Sequence, residues 1–299
     1  MNNLFGLIDD NFQKQSDAHA ADLHRSLKKK CDAEVEPSDI SRMLIVLPYA
    51  GLFTSKHNLP LGINSQNIVE FKNSQFNYVV KIAGTTLTAD DETILLFLNE
   101  LAIKNKSRTF TTNLLNIVVG SFFVNCGSNF IRAKNSLDIL NTAIIDVYFS
   151  GIIKGKKISR GFKGHIIENY EYENRGMRTG YITITLSEKY HQNLADRKNP
   201  IRLLNRRSRA KCKSDDQKNT YTILSTWKYD KINIDNLMNI IKTDKRKIDF
   251  IRRCLNPLLS VISKDRKQIV YLDKGYKNII FSDRFYSKKL TSISHHFHE

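Results

Sequence analysis

Cysteine is scarce in this chain of 299 residues, which has only Cys31, Cys126, Cys212 and Cys254. No two of them have the spacing of a zinc site, so they read as reduced thiols of a cytosolic protein. No uninterrupted apolar run approaches the roughly 18 residues that a membrane helix needs. The opening Met-Asn-Asn-Leu-Phe-Gly-Leu-Ile-Asp-Asp has no basic region ahead of its short apolar patch, which argues against a secretory signal. The expected compartment is the cytoplasm, with no membrane contact.

Catalytic signatures are missing as well. The chain has no phosphate loop, dinucleotide fingerprint, G-x-S-x-G elbow or H-E-x-x-H helix. Asp90-Asp91-Glu92 is the one acidic cluster that raises a two-metal nuclease, which would need further carboxylates converging on it. Helix capping is the simpler account. Tyr170, Tyr172, Tyr181 and Tyr190 raise a nicking nucleophile, but no paired-histidine motif accompanies them, and they read better as strand residues. His295, His296 and His298 stand in a tail with no other ligand cluster. The expectation is a protein without enzymatic activity, cofactor or metal.

Acidic charge is the last shortage. Lys and Arg number 47 against 30 Asp and Glu, a net charge of +17. Such an excess points to a polyanionic partner, nucleic acid ahead of an anionic membrane.

The stretch from Gly84 to Asp146 organises the rest. It reads as three successive helices. The first is capped by Thr88, with Asp91 at capping-box spacing and Ile94, Leu95, Leu98, Leu101 and Ala102 on one face. The second starts near Thr111 or Thr112 and stops near Gly120. The third starts after Ser128 and buries Phe130, Ala133, Leu137, Leu140 and Ile144; its other face shows Arg132, Lys134, Asn135, Ser136 and Asn141. Three such helices make either a small helical core or a helix-turn-helix whose third helix enters the major groove of DNA.

What flanks this stretch favours the second reading. Phe76, Tyr78, Val80 and Ile82 alternate as a strand before it. After it, strands are expected at Val147–Phe149, His165–Glu173 and Tyr181–Leu186. The Gly-punctuated segment between the first two carries Lys154, Lys156, Lys157, Arg160 and Lys163 without one acid, as a phosphate-touching wing would. Residues 196–218 form a basic connection with Arg206, Arg207 and Arg209, either a flexible linker or one lying along a DNA backbone. A second helical set follows: one helix near Thr220, one capped by Asp235, and one from Lys245 to Ile262. The last turns Ile248, Ile251, Leu255, Leu258 and Ile262 inward and Lys245, Arg246, Arg252, Arg253 and Asn256 outward, with Pro257 as a kink. A hairpin with Gly275 at its turn closes the set. Helix, helix, basic helix, hairpin thus occurs twice.

Three blocks resemble the TrfA family of plasmid replication initiators. They are Ala50 to Asn58, then Gly84-x-x-Leu87-x-Ala89-Asp90-Asp91-Glu92, then Thr111 to Gly120 with Arg132-Ala133-Lys134, Leu137, Leu140 and Thr142-Ala143. The likeness covers roughly residues 45–145 and departs from the family's first block at Tyr49-Ala50 and Gly51. It implies a protein that binds directly repeated sites, or iterons, in double-stranded DNA at a plasmid origin. It also implies help in opening the origin and recruitment of the host initiator and helicase, without nucleotide hydrolysis. Asn3 to Leu7 is only distantly similar to the family's pentapeptide for the sliding clamp.

The expected architecture is therefore α+β, with two tandem winged-helix domains. Residues 1–40 are expected to form an N-terminal appendage, with Leu4, Phe5, Ile8 and Phe12 at helical spacing, either solvated helices packed loosely on the body or helices that dock a partner. The first winged helix covers 41–195, a basic linker 196–218, the second winged helix 219–290 and a disordered tail 291–299. Base readout is assigned to Arg132, Asn135, Arg246, Arg252 and Arg253. Phosphate contact is assigned to Lys154, Lys156, Lys157, Arg160, Arg207 and Arg209. A monomer–dimer equilibrium is expected. The rival is a winged-helix transcriptional repressor, including one acting on its own gene.

Overall fold

The computed structural model describes residues 40–44, 46–49, 51–55, 67–72, 76–83, 86–153, 156–173, 180–195 and 201–282. The expected N-terminal helices and C-terminal tail lie outside these residues, as do Lys154 and positions 196–200 of the expected linker. The architecture is α+β.

At its centre is α2 (Ala89–Lys104), which follows a short α1 (Val46–Tyr49). The Thr88 hydroxyl accepts from the Asp91 amide, and Asp91 Oδ2 accepts from the Thr88 amide at 2.7 Å, a reciprocal cap. All of α2 is buried except Glu100, Ile103 and Lys104. A helix buried all round lies inside a core, not on its edge.

Five strands precede α2: β1 (Ile40–Leu44), β2 (Phe53–Thr54), β3 (Asn67–Lys72), β4 (Phe76–Ala83) and β5 (Leu87–Thr88). After α2 come β6 (Thr109–Asn113), α3 (Leu114–Gly120) and α4 (Gly127–Thr142). The second helix therefore starts later than expected. Thr109–Asn113 alternates out and in, buries Phe110 and Thr112, and pairs antiparallel with β10 (Tyr181–Leu186). Cross-strand hydroxyl pairs, Thr109–Thr185 and Thr111–Thr183, each at 3.1 Å, support the ladder. Asn113 then caps α3 by accepting from the Asn116 amide at 2.7 Å. Helix α4 stops at Thr142, so Ile144 opens the next strand and is 36% exposed, not buried as a helical residue.

That strand, β7 (Ile144–Ile153), pairs with β8 (Lys156–Gly164) in a four-stranded sheet of order β3-β4-β7-β8. The basic segment is a hairpin, as expected, made of the end of β7 and the edge strand β8, but it belongs to this sheet and not to the one that holds β6. A Cβ at Gly161 would meet the Val147 carbonyl oxygen at 2.3 Å, so the glycine permits close pairing with β7. The hairpin paired with β6 is instead β9 (Ile167–Glu173) with β10, in the order β6-β10-β9. Helix α5 (Glu188–Ala195) follows.

The described part of the basic connection is also built. β11 (Ile201–Asn205) pairs antiparallel with β1 from Ile40↔Asn205 to Leu44↔Ile201. α6 (Arg206–Ala210) is capped by Asn205, and α7 (Asp215–Thr226) by Ser214, which accepts from the Gln217 amide at 3.2 Å. Helix α7 starts earlier than the expected Thr220 because Ser214 and Gln217 form a cap; Gln217 Oε1 also accepts from the Lys213 amide at 2.7 Å.

Next come β12 (Lys231–Asn233) and α8 (Ile234–Ile241), whose cap is Asn233 and not Asp235. A long helical run follows: α9 (Lys247–Phe250), a π-helical turn (Ile251–Leu255) and α10 (Asn256–Arg266). Pro257 has no N–H for the Arg253 carbonyl, and its ring would crowd that carbonyl in an α-helix. The π turn widens the path, and the Gln217 side-chain amide from α7 reaches into it: its Nε2 donates to the Arg253 carbonyl at 2.7 Å. Ile251, Leu255, Leu258 and Ile262 are buried, but Ile248 is 61% exposed, contrary to expectation. β13 (Ile269–Leu272) and β14 (Asn278–Ser282) are the last of the described elements. Gly275 lies in their turn, as expected; Tyr276 is its left-handed residue (φ 50°), and the Asp273 carboxylate accepts from the Lys277 amide at 2.7 Å.

The order helix, strand, helix, helix, strand, strand therefore appears twice. In the first unit it is α2, β6, α3, α4, β9, β10, with β7 and β8 inserted after α4; in the second it is α7, β12, α8, α9–α10, β13, β14. Both three-stranded sheets place the last strand in the middle, β6-β10-β9 and β12-β14-β13. These are two winged helices. They share one apolar core. The Tyr49 and Trp227 rings lie 5.2 Å apart, and Asn219 Nδ2 donates to the Phe53 carbonyl at 3.1 Å.

Candidate nucleic-acid interface

In each unit the third helix turns a polar face to solvent. On α4, Ser128, Ile131, Lys134, Asn135 and Asp138 are exposed, while Phe130, Ala133, Leu137 and Leu140 are buried. The turn ahead of α4 is fastened by Asn129 Nδ2, which donates to the Val124 carbonyl at 2.8 Å. Asn135 is open to solvent. Arg132 is only half exposed: its Nε lies 3.3 Å from Asp90 Oδ2 and its guanidinium 5.6 Å from the Phe123 ring centre. Lys134 lies 6.0 Å from the Tyr172 ring centre, which ties α4 to the hairpin.

On the second unit's helix, Arg252, Arg253 and Asn256 are exposed along one side. Arg246 precedes α9 with its side chain 84% exposed, and its Nε is 3.1 Å from Asp249 Oδ2. Lys247 pairs with Asp235 at 2.9 Å, and Lys245 with Asp216. The π turn therefore places two neighbouring arginines outward where the helix is wider than usual.

The acidic trio has another task than capping alone. Asp91 completes the capping box with Thr88, and its Oδ1 accepts from the Ser136 hydroxyl of α4 at 2.5 Å. Burial pushes the Asp91 carboxyl upward, against the bonds from Ser136 and Thr88. Asp90 pairs with Lys218 of α7 at 3.0 Å and with Arg132 of α4. Glu92 pairs with Arg209 of α6, both essentially inaccessible. These carboxylates thus join the first unit's third helix to α6 and α7.

Arg209 is accordingly withdrawn from the phosphate set. It is 1% exposed; Nε donates to Thr222 Oγ1 at 2.9 Å, Nη2 to the Ala89 carbonyl at 3.1 Å, and further bonds reach Thr93 and Glu92. Arg206 is buried too, bonded to Glu100 and the Gly120 carbonyl and stacked near the Phe97 and Phe122 rings at 5.2 and 5.3 Å. Arg207 alone of the three arginines faces outward. Lys156, Lys157 and Arg160 lie on β8, away from the β9–β10 hairpin in strand order, and Lys154 lies outside the described residues. The sequence reading missed Val124, Ile131 and Ile248, which are exposed by 74%, 55% and 61%. Nothing in the sequence distinguishes them from core residues.

Among the described residues no helix is long and apolar enough to cross a membrane. The fold defines a protein of two unlike winged helices on one chain. No protein-family model and no curated protein matches the sequence. Solved structures do overlap it. Domains 2 and 3 of RctB do so with a TM-score of 0.48 and 10% identity over 81% of this chain and 98% of that one. A second structure of RctB domains 2-3 gives 0.47 and 8%, over 79% and 95%. The Pi initiator protein in complex with iteron DNA gives 0.48 and 12%, over 84% of this chain and all of that one. At such scores the winged-helix assignment rests on the chain's own element order.

Proposed function

We propose that this protein is a sequence-specific DNA-binding initiator of plasmid replication. It binds direct repeats at the origin through both winged helices, promotes opening of the adjacent DNA and recruits the host initiator and helicase. The observation that carries this is the repeated topology with two different third helices, each turning a polar, cation-bearing face to solvent. A helix in that position suits the major groove. The excess of positive charge suits the phosphate backbone, and the three sequence blocks that resemble the TrfA family point to the same role.

Base readout falls to Asn135, Arg246, Arg252 and Arg253, with Arg132 poised between Asp90 and the groove. Phosphate contact falls to Arg207 and, from β8, to Lys156, Lys157 and Arg160. Because α4 and α9–α10 differ in sequence, one chain reads an asymmetric site, and copies line up head to tail. A repressor acting as a symmetric dimer would instead need inverted half-sites. We assign the protein no catalytic step and place its action in the cytoplasm. The test is maintenance of a plasmid whose origin lacks its own initiator gene, with this protein supplied in trans. Replication dependent on the direct repeats is expected. Failure, together with binding to palindromic sites, would replace the initiator reading with the repressor.

A further inference from the structure

The two third helices share a feature that charge does not explain. Ile131 stands early in α4, four residues ahead of the exposed Asn135; Ile248 stands early in α9, four residues ahead of the exposed Arg252. Both isoleucines are more than half exposed, at 55% and 61%. The two helices are topologically equivalent, so the same pair, an apolar side chain and a polar one a turn later, is built into both units. Core packing does not account for it, since the apolar residues buried by each helix lie on other faces.

In the major groove the one apolar group on a base edge is the C5 methyl of thymine. Residues four apart on a helix lie about 5–6 Å apart on one face, comparable to one or two base-pair steps of roughly 3.4 Å. The surroundings are cationic: Lys134 beside Ile131, and Arg246, Arg252 and Arg253 around Ile248. That charge matches DNA better than an apolar protein partner. Resting on the reading above, we propose that Ile131 and Ile248 are specificity-determining residues that contact thymine methyl groups. Each half of the repeat would then hold a thymine one or two base pairs from the base bound by Asn135 or Arg252.

Replacing single thymines of a synthetic repeat by deoxyuridine removes the methyl and nothing else. Binding of the full chain to such duplexes would be followed by fluorescence anisotropy. For the unaltered protein, one or two positions in each half should weaken binding by about three- to tenfold, the scale of one buried methyl group. Ile131→Ala should abolish the sensitivity in one half and Ile248→Ala in the other, each leaving the opposite half unchanged. Both changes are at exposed sites and leave the core intact. Tight binding to the repeat with no response to deoxyuridine at any position would overturn the proposal and leave these isoleucines to a protein partner. Failure to bind the thymine-containing repeat at all would overturn the proposed function itself, and this inference with it.

Discussion

Removing Arg209 should damage folding far more than its place in a basic stretch suggests. Arg209→Met deletes a guanidinium that makes four hydrogen bonds, to Thr222, Thr93, the Ala89 carbonyl and Glu92. It leaves Glu92, which is 0% exposed, as a carboxylate without its cation. Breaking a buried pair in this way costs about 3–5 kcal/mol. Domains are stable by roughly 5–15 kcal/mol, so the loss is a large share of the total. Urea denaturation followed by circular dichroism measures it. The double variant Glu92→Leu with Arg209→Met should recover most of the stability, because apolar replacement of both partners is often neutral. The loss should also depend on pH. Burial already holds the Glu92 carboxyl above its ordinary 4.5 despite Arg209, and without the arginine it rises further. A carboxyl raised in the folded state lowers stability as pH rises from the unfolded value to the folded one. The deficit should therefore be full above the variant's folded value and shrink as pH falls toward 4.5. A loss under about 1 kcal/mol in the single variant, or no recovery in the double one, would refute the buried-pair argument.

Three further outcomes are expected. Affinity for a cognate repeat should fall steeply with salt, with a log–log slope near −0.9 for each of roughly 6–10 phosphates; a flat dependence in gel shifts would exclude this mode of binding. Arg252→Ala or Arg253→Ala should cost about 1–3 kcal/mol on the cognate site and little on random DNA, whereas Lys156→Ala should weaken both alike; equal losses from the arginine changes would make them phosphate clamps. Cys126, at the start of α4, has its thiol held below the ordinary value by the Ser128 hydroxyl and the Asn129 amide, whereas burial pushes Cys212 up to about 11 and raises Cys254. Peptide mapping after alkylation should therefore find Cys126 modified well before Cys212 and Cys254, and protected by cognate DNA; equal rates for the three would contradict the fold around them.

Local chemistry made part of this fold legible. Thr88 and Asp91 mark the start of α2 because the cap is formed by residues three apart. The buried sides of α4 and α10 follow from spacing alone, through Phe130, Ala133, Leu137, Leu258 and Ile262. The doubling of helix, helix, basic helix and hairpin was readable for the same reason. What escaped depends on distant partners. Thr109–Asn113 is a strand because β10 lies beside it. The basic segment at Lys156 is an edge strand because β4 and β7 form a sheet for it to join. Arg209 is buried because Glu92 waits for it across 117 positions of chain. Pro257 is tolerated because Gln217 reaches the carbonyl that it leaves unpaired. Ile131 was assigned no role and Ile248 was placed in the core, since an apolar residue in a helix gives no sign of exposure until the neighbouring elements are placed.

Hydroxyl-radical footprinting on the DNA flanking the gene tests the central claim most directly. With one chain placing two unlike helices on successive major grooves, each repeat should be protected over roughly two helical turns, in two patches about 10 base pairs apart. The patches should differ from each other and recur in the same orientation from repeat to repeat, with one monomer on each. Protection that is symmetric about a two-fold axis, or confined to a single patch per repeat, would contradict the account.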